Sequence, residues 1–193
     1  MTTIYLVRHG EYENPHYRVP GRGPGFPLSD RGRRQVALVA NYMQSRHIAV
    51  LYSSPIVRTR QTAEIISAAV NLPIVFDERL LEVGTNLEGT SMTDMDAIGG
   101  NVYTPELHEK GAESIEDLVA RLNGFIVEKR TEHEGKEILC ISHGDPIRFI
   151  VMHYMNIPLD FRSSRAIATP LAGGYSLTFG NTGSVAVEPI HFT

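Results

Sequence analysis

Ile4-Tyr5-Leu6-Val7-Arg8-His9-Gly10 is the stretch that decides the fold, because a short apolar run ends abruptly in charged and polar residues. The run predicts a strand buried on both faces, and Gly10 permits the tight turn that must follow it. A similar pattern, Ile138-Leu139-Cys140-Ile141-Ser142-His143-Gly144, occurs late in the chain. Each segment therefore predicts a buried strand that delivers a histidine to its carboxyl end.

Other short apolar runs alternate with segments of helical periodicity along the rest of the chain. The predicted strands are 4–7, 49–52, 74–76 and 138–141. The predicted helices run from the N-cap Ser29 to Met43, over 56–70 with Ser54 as N-cap and Pro55 as first residue, over 114–131 and over 147–155. Strands at 175–179 and 184–187 predict a terminal hairpin around 180–183. This alternation predicts an α/β fold, a three-layer α/β/α arrangement around a doubly wound, mostly parallel sheet.

The length and composition of the chain limit the classes of protein to which it can belong. The 193 residues predict a single domain, residues 1–193, and the net charge of −4 argues against a general nucleic-acid binder. The single cysteine excludes an internal disulfide, and no apolar stretch reaches the ~18–20 residues of a membrane span. We expect a cytoplasmic protein without nucleic-acid or membrane partners. The oligomeric state stays open, with a homodimer as one option.

Candidate anion-binding residues lie at both strand ends. Ligands of an open α/β sheet collect at the carboxyl ends of its strands, so His9 and His143 are candidates to face one crevice. Arg8, at the end of a buried strand, needs an anionic partner. A helix start near Ser54 attracts anions, and Arg58 is predicted to be its fourth residue. Taken singly, each histidine also fits a structural role, and Arg58 also fits a solvated basic face.

Three blocks in this order resemble the histidine phosphatase superfamily, the phosphoglycerate-mutase-like proteins. They are Arg8-His9-Gly10, the Ser-Pro-x-x-Arg-Thr-x-Gln-Thr-Ala run from Ser54 to Ala63, and Ser142-His143-Gly144. Weaker matches lie at 27–32, 77–82 and 111–114, so the resemblance extends from residue 4 to about residue 155. It implies a phosphoglycerate-mutase-like fold and, from the modest length, a short phosphatase-type member.

The resemblance also implies roles. His9 is the nucleophile that forms a phosphohistidine, and Arg8, Arg58 and His143 surround the phosphoryl oxygens together with it. One ring nitrogen of His9 must be held by a hydrogen bond, and the carbonyl of Gly10 is the candidate acceptor. His143 and Glu82 complete the catalytic set, with Glu82 as acid and base. Its rivals for that role are Glu11, Glu13 and Asp145. We expect neither a metal nor a cofactor.

Departures from the family pattern leave the substrate open. Asn14 falls one position earlier than the asparagine of many relatives, and Arg22 lies in a loop rich in glycine and proline. Asn14 and Arg22 are the candidate residues of the substrate mouth. The weakly periodic segment 84–112 is predicted to be a flap or lid.

Three functions fit these features. The favoured one is a metal-independent phosphomonoester hydrolase acting on small phosphorylated metabolites, because the mutases of this family resemble longer chains with extra closing segments. The alternatives are a cofactor-dependent phosphoglycerate mutase and a catalytically weak member that binds a phosphorylated ligand or protein.

Overall fold

The structure is a computed structural model that describes residues 1–97, 99–180 and 183–192. Its strands are β1 (Thr2–Arg8), β2 (Ile48–Ser53), β3 (Ile74–Phe76), β4 (Glu137–Ser142), β5 (Gly174–Phe179) and β6 (Val185–Ile190). In the described part of the chain they form one sheet with the order β3-β2-β4-β1-β5-β6. The first four in this order are mutually parallel, whereas β5 pairs antiparallel with β1 and with β6. The prediction of a mostly parallel sheet is confirmed.

Helices cover both faces of the sheet. They are α1 (Asp30–Gln44), α2 (Val57–Val70), α3 (Met92–Ala97), α4 (Pro105–Glu109), α5 (Ile115–Glu132), α6 (Gly144–Tyr154) and α7 (Phe161–Ser164). Alternate side chains of β1 point to opposite faces: Tyr5 and Val7 pack with α1 and α2, and Ile4 and Leu6 pack with α5 and α6. The predicted three-layer arrangement is confirmed. No helix among the described residues is long and apolar enough to cross a membrane.

Two helix starts agree with the sequence to within one residue and two do not. The side chain of Ser29 caps α1, as predicted, and α5 begins at Ile115, one residue after the predicted start, with the side chain of Ser114 as its cap. The predicted start of α2 is wrong, because the helix begins at Val57 and Arg58 is its second residue, not its fourth. The Ser54 N–H donates to the carbonyl of Ile141 at 3.0 Å, which keeps this segment extended beside β4.

Helix α6 begins at Gly144, three residues earlier than predicted. Pro146 is its third residue, a position in the first turn where a missing N–H costs no hydrogen bond. At the other end of the chain, β6 continues to Ile190, beyond the predicted 187. Of the predicted hairpin turn 180–183, residues 181 and 182 lie outside the described residues.

The order of the strands opens a crevice between β1 and β4. The chain leaves β1 toward β2 on one side and leaves β4 toward β5 on the other, so this is a topological switch point. Arg8 is in register with Ser142 across the two parallel strands. His9 directly follows β1 and His143 directly follows β4. The two histidines therefore lie side by side at the mouth of the crevice.

The segment 84–112 contains α3 and α4 and borders this mouth. Its backbone is hydrogen-bonded to residues 17–19, with the Val19 N–H donating to Thr90 and the Gly89 N–H donating to Val19, both at 2.9 Å. Met95 and Val102 are buried in the same hydrophobic cluster as α5 and α6. Its movement as a flap stays a prediction.

Candidate active site

His9 is held in one tautomer at the end of β1. Its Nδ1 lies 2.8 Å from the carbonyl oxygen of Gly10. A carbonyl only accepts, so Nδ1 carries the proton and the lone pair of Nε2 points into the crevice. Burial and the charges of Arg58 and Arg8 lower the pKa of His9 well below its ordinary 6.5. The side chain is thus a neutral imidazole with an oriented, unprotonated nitrogen.

Arg58 connects the two strand ends. Its Nε donates to His9 Nε2 at 3.1 Å, and its Nη2 donates to His143 Nδ1 at 3.0 Å and to the Gly21 carbonyl at 2.8 Å. The residue is only 1% exposed, which excludes the solvated basic face that the sequence left open. The ring of Tyr12 lies 5.6 Å from the guanidinium carbon and 5.5 Å from the His9 ring.

His143 is held in the opposite tautomer. Its Nε2 lies 2.9 Å from the Ser54 hydroxyl, and its Nδ1 accepts from Arg58. Burial, followed by the charge of Arg58, lowers the pKa of His143 well below 6.5. The rings of His9 and His143 are 5.3 Å apart between centroids. Two neutral imidazoles therefore share one guanidinium.

Arg8 and Arg58 each present a buried donor that has no acceptor in the described part of the chain. Arg8 donates from Nη1 to the Thr169 carbonyl at 2.6 Å, and a Cβ on Gly144 would lie 3.2 Å from its guanidinium carbon. Among the described residues, Arg8 Nε and Arg58 Nη1 are buried without a hydrogen-bond partner. Buried guanidinium N–H groups are costly unless an anion receives them. The crevice is thus built to bind an anion with several oxygen acceptors.

Glu82 adds a carboxyl group to this crevice. Its Oε2 lies 3.9 Å from His143 Nδ1, and its Oε1 accepts from the Val83 N–H at 3.0 Å. Burial raises the pKa of Glu82, and the Asp145 carboxylate raises it further, against the lowering effect of Arg58 and Arg8. A carboxyl of this kind keeps its proton to higher pH than an exposed glutamate does.

The rival carboxylates are engaged elsewhere or lie in the open. Glu11 accepts from the Ser29 hydroxyl at 2.9 Å beside the start of α1, and Glu13 is exposed. Asp145 borders the same cavity as Glu82, but its two oxygens accept from Tyr103 at 2.7 Å and from Arg148 at 2.6 Å. Among the described residues, Glu82 is therefore the carboxyl that lies beside His143 without a guanidinium hydrogen-bonded to its oxygens.

The two candidate mouth residues are bound to the protein itself. The Asn14 side chain closes a turn with Arg18, accepting from its N–H and donating to its carbonyl at 2.9 Å each. Arg22 donates to the Glu82 carbonyl and to Glu113. A cavity of about 230 Å³ adjoins Arg8 and Glu82, and neither Asn14 nor Arg22 is among the residues that border it. Their role at the mouth stays a prediction.

Sequence reasoning missed several participants. They are the Ser54 hydroxyl, the Tyr12 ring, the Thr169 and Gly21 carbonyls and the start of α6 at Gly144. Only the last had a local signal, since Asp145-Pro146 after a glycine is typical of a first helical turn. In the described ranges, no group of three or more His, Cys, Asp or Glu side chains has an arrangement that could hold a metal ion.

Comparisons with known proteins agree with this geometry. The family model of the histidine phosphatase superfamily (branch 1) matches residues 4–188. Phosphoserine phosphatase 1 of Hydrogenobacter thermophilus is 31% identical over 170 residues, which are 82% of this chain and 79% of the relative. The probable phosphoglycerate mutase GpmB of Escherichia coli O1:K1 is 32% identical over 171 residues, with 82% and 77% covered.

A solved structure, YhfR of Bacillus stearothermophilus, superposes with a TM-score of 0.84 at 25% identity and covers 98% of this chain and 96% of its own. The sheet order, the paired strand-end histidines and the family match lead to one conclusion. The chain belongs to the histidine phosphatase superfamily, branch 1, a superfamily of phosphoryl-transfer enzymes, and has the phosphoglycerate-mutase-like fold.

Proposed function

We propose that this protein is a metal-independent phosphomonoester hydrolase that acts through a phosphohistidine on His9. The observation that carries the proposal is the oriented His9 imidazole, whose Nε2 faces a guanidinium with a further buried donor that no described residue accepts. An unprotonated nitrogen beside such an anion site is what in-line attack on a phosphoryl group requires. Relatives named as a phosphatase and as a mutase support the same chemistry.

In the first step, the lone pair of His9 Nε2 forms an N–P bond while the P–O bond to the leaving alcohol breaks. The alcohol oxygen takes its proton from Glu82, whose raised pKa favours the protonated form. In the second step, water attacks phosphorus and gives its proton to the Glu82 carboxylate. The N–P bond then breaks, which releases inorganic phosphate and restores the neutral imidazole.

Arg8 and Arg58 stabilise the charge on the phosphoryl oxygens in both steps, and His143 positions Arg58 by accepting from its Nη2. Charge stabilisation by pre-oriented donors is the main source of rate acceleration in phosphoryl transfer. Arg58 must exchange its bond to His9 Nε2 for bonds to the phosphoryl oxygens when substrate binds, because the same lone pair attacks phosphorus. Its Nη1, which has no acceptor among the described residues, is available to the anion from the outset.

The substrate class is proposed to be small phosphorylated metabolites. The cavity that adjoins Arg8 and Glu82 has a volume of about 230 Å³, and its lining mixes charged residues such as Asp145 and Arg148 with apolar ones such as Met95 and Val102. A cavity of this size, below the ~300–1,000 Å³ typical of ligand pockets, fits a small leaving group.

The test is hydrolysis of p-nitrophenyl phosphate and of a panel of phosphorylated metabolites, with His9→Ala as the control. We expect phosphate release by the unaltered protein alone, and a trapped phosphoenzyme that is labile in acid and stable in base. Equal release by both proteins, or an acid-stable phosphoenzyme, would contradict the proposal. Activity on no substrate at all would favour the phospho-ligand-binding alternative.

The mutase alternative rests on the likeness to GpmB. Incubation with 3-phosphoglycerate and a bisphosphoglycerate primer separates the two activities, because a mutase returns the phosphoryl group to its substrate. We expect free phosphate to accumulate without 2-phosphoglycerate. Rapid formation of 2-phosphoglycerate with little free phosphate would identify a mutase.

A further inference from the structure

We infer that Arg22 is a positioning residue for Glu82: it fixes the backbone of the proton donor through a bridge to Glu113. The inference rests on the proposed function, since it assigns Arg22 a part in the proton transfer of that same site. It starts from the partners of the Arg22 guanidinium. Nε donates to the Glu82 carbonyl at 2.7 Å, and Nη2 donates to Glu113 Oε2 at 2.9 Å.

A second guanidinium is hydrogen-bonded to the same stretch of backbone. Arg121, on α5, donates from Nη2 to the carbonyls of Leu81 at 2.9 Å and Glu82 at 3.2 Å. Arg121 also pairs with Glu113 through two bonds of 2.5 and 3.0 Å. Glu113 in turn accepts from the Gly84 N–H at 3.1 Å. Peptide groups of residues 81–84 are therefore hydrogen-bonded by two arginines and by the carboxylate that the two arginines share.

The loop that carries Arg22 also contacts the phosphate-binding group. The carbonyl of Gly21 accepts from Arg58 Nη2 at 2.8 Å. Gly21 has a φ of +43°, a backbone conformation that favours glycine. The Arg22 N–H is anchored on Glu88 at 3.1 Å. Two consecutive residues of one loop thus touch Arg58 and Glu82, and so set the position of the acid relative to the bound phosphoryl group.

This arrangement predicts a loss that depends on the leaving group. A general acid must lie within roughly 2.6–3.2 Å of the oxygen that it protonates, and a displacement of about 1 Å can cost ~100-fold. A phenolate such as p-nitrophenolate leaves without help, whereas an alkoxide needs the proton. The Arg22 side chain is 36% exposed, and Arg121 has its own bonds to Glu113 and to the Glu82 carbonyl, so we expect Arg22→Ala to remain folded.

The experiment measures kcat/KM of Arg22→Ala for three substrates of similar shape: p-nitrophenyl phosphate, benzyl phosphate and 4-carboxybenzyl phosphate. This parameter reports phosphoryl transfer to His9 and no later step. We expect a decrease of roughly 10–100-fold for both benzyl esters and of less than about threefold for p-nitrophenyl phosphate. Glu113→Gln, which keeps the volume and removes the shared charge, gives the same pattern. Arg18→Ala is the matched control, because this arginine of the same loop donates to Gly89 and not to Glu82.

Three results would overturn the inference. A loss confined to 4-carboxybenzyl phosphate identifies Arg22 as a direct contact for an anionic group of the substrate. An equal decrease in kcat/KM for all three esters indicates a general structural role. An unchanged kcat/KM for all three shows that Arg22 has no part in the reaction.

A different set of results would contradict the proposed function itself. If His9→Ala retains activity, or if Glu82→Gln does not impair benzyl phosphate selectively, the assignment of nucleophile or acid is wrong, and the Arg22 inference falls with it. If both behave as expected and Arg22→Ala does not, only the inference is wrong.

Discussion

The ends of β1 and β4 have the same local sequence pattern, a buried strand followed by histidine and glycine, yet they deliver two different imidazoles. His9 turns Nδ1 to the Gly10 carbonyl beside it and presents Nε2 to the crevice. His143 turns Nε2 to the Ser54 hydroxyl, which lies far away in sequence, and presents Nδ1. Both are buried and neutral, and both accept from Arg58.

The two strand ends thus differ in the partner of the second ring nitrogen, and that partner sets the tautomer of each histidine. The acceptor of His9 belongs to the adjacent residue, so its tautomer is built into the strand end. The partner of His143 is a hydroxyl, which can donate as well as accept, so this tautomer depends on tertiary contacts. We therefore propose that His9 attacks and that His143 positions Arg58.

The largest expected effect separates the two histidines. His9→Ala should lower kcat by roughly 10⁴-fold or more, because the covalent route is lost. His143→Ala should lower it by roughly 10–100-fold, because the Arg58 guanidinium loses an acceptor that orients it. The measurement is phosphate release together with labelling of the enzyme by radioactive substrate. Labelling of the His9 variant, or its absence in the His143 variant at long times, would reverse the assignment.

Removing the shared guanidinium comes next. Arg58→Gln should lower kcat/KM by roughly 10²–10³-fold, since donors to the phosphoryl oxygens are lost. The Arg58 charge lowers the pKa of His9, so its loss raises that pKa. His9 acts only when unprotonated, and the acid limb of the pH profile should therefore move to higher pH.

Arg60→Gln is the control for this variant, because Arg60 lies on the same helix and is exposed. An unchanged acid limb in Arg58→Gln, with activity reduced, would show that the charge of Arg58 does not hold His9 neutral.

A smaller effect tests the orientation of His143. Ser54→Ala removes the acceptor of its Nε2 proton and should lower kcat by roughly tenfold, the low end for a group that orients a functional histidine. Ser53→Ala is the matched control, because Ser53 is equally buried and donates instead to the Ser54 carbonyl at 2.9 Å. Equal losses in the two variants would indicate a packing effect and not a tautomer effect.

The smallest expected effect concerns stability. The folded protein lowers the pKa of both histidines below 6.5, so the unfolded chain takes up protons first as the pH falls. The free energy of unfolding should thus decrease below about pH 6.5, by up to ~1.4 kcal/mol per pH unit for each histidine.

Substitution of either histidine tests this dependence of stability on pH. His143→Asn and His9→Asn should each make the dependence shallower by about one proton in urea unfolding between about pH 7 and pH 5. Glu82, whose pKa is raised, contributes with the opposite sign in all three proteins. If only one of the two variants changes the slope of the unfolding free energy against pH, only that histidine is neutral in the folded state.

Local sequence patterns predicted the strands and helices that position the site. They failed where contacts with distant residues determine where a helix begins. Ser29 and Ser114 cap their helices because a hydroxyl in the preceding extended residue can reach the first free N–H groups. Ser54 has the same chemistry, and Pro55 follows it. The Ser54 N–H nevertheless donates to β4, and the Ser54 hydroxyl is hydrogen-bonded to His143. Helix α2 therefore starts two residues later than the pattern predicts.

By itself, the sequence determined the layered α/β architecture and the delivery of His9 and His143 to strand ends, since both follow from short-range periodicity and from the glycine after each histidine. The tertiary structure decided the rest. Which imidazole nitrogen faces the crevice, how Arg58 joins the two histidines, and how Arg22 and Arg121 hold Glu82 all depend on atoms from distant segments. Protonation and orientation respond to distance and burial, and only the folded chain brings these charges within a few ångströms of one another.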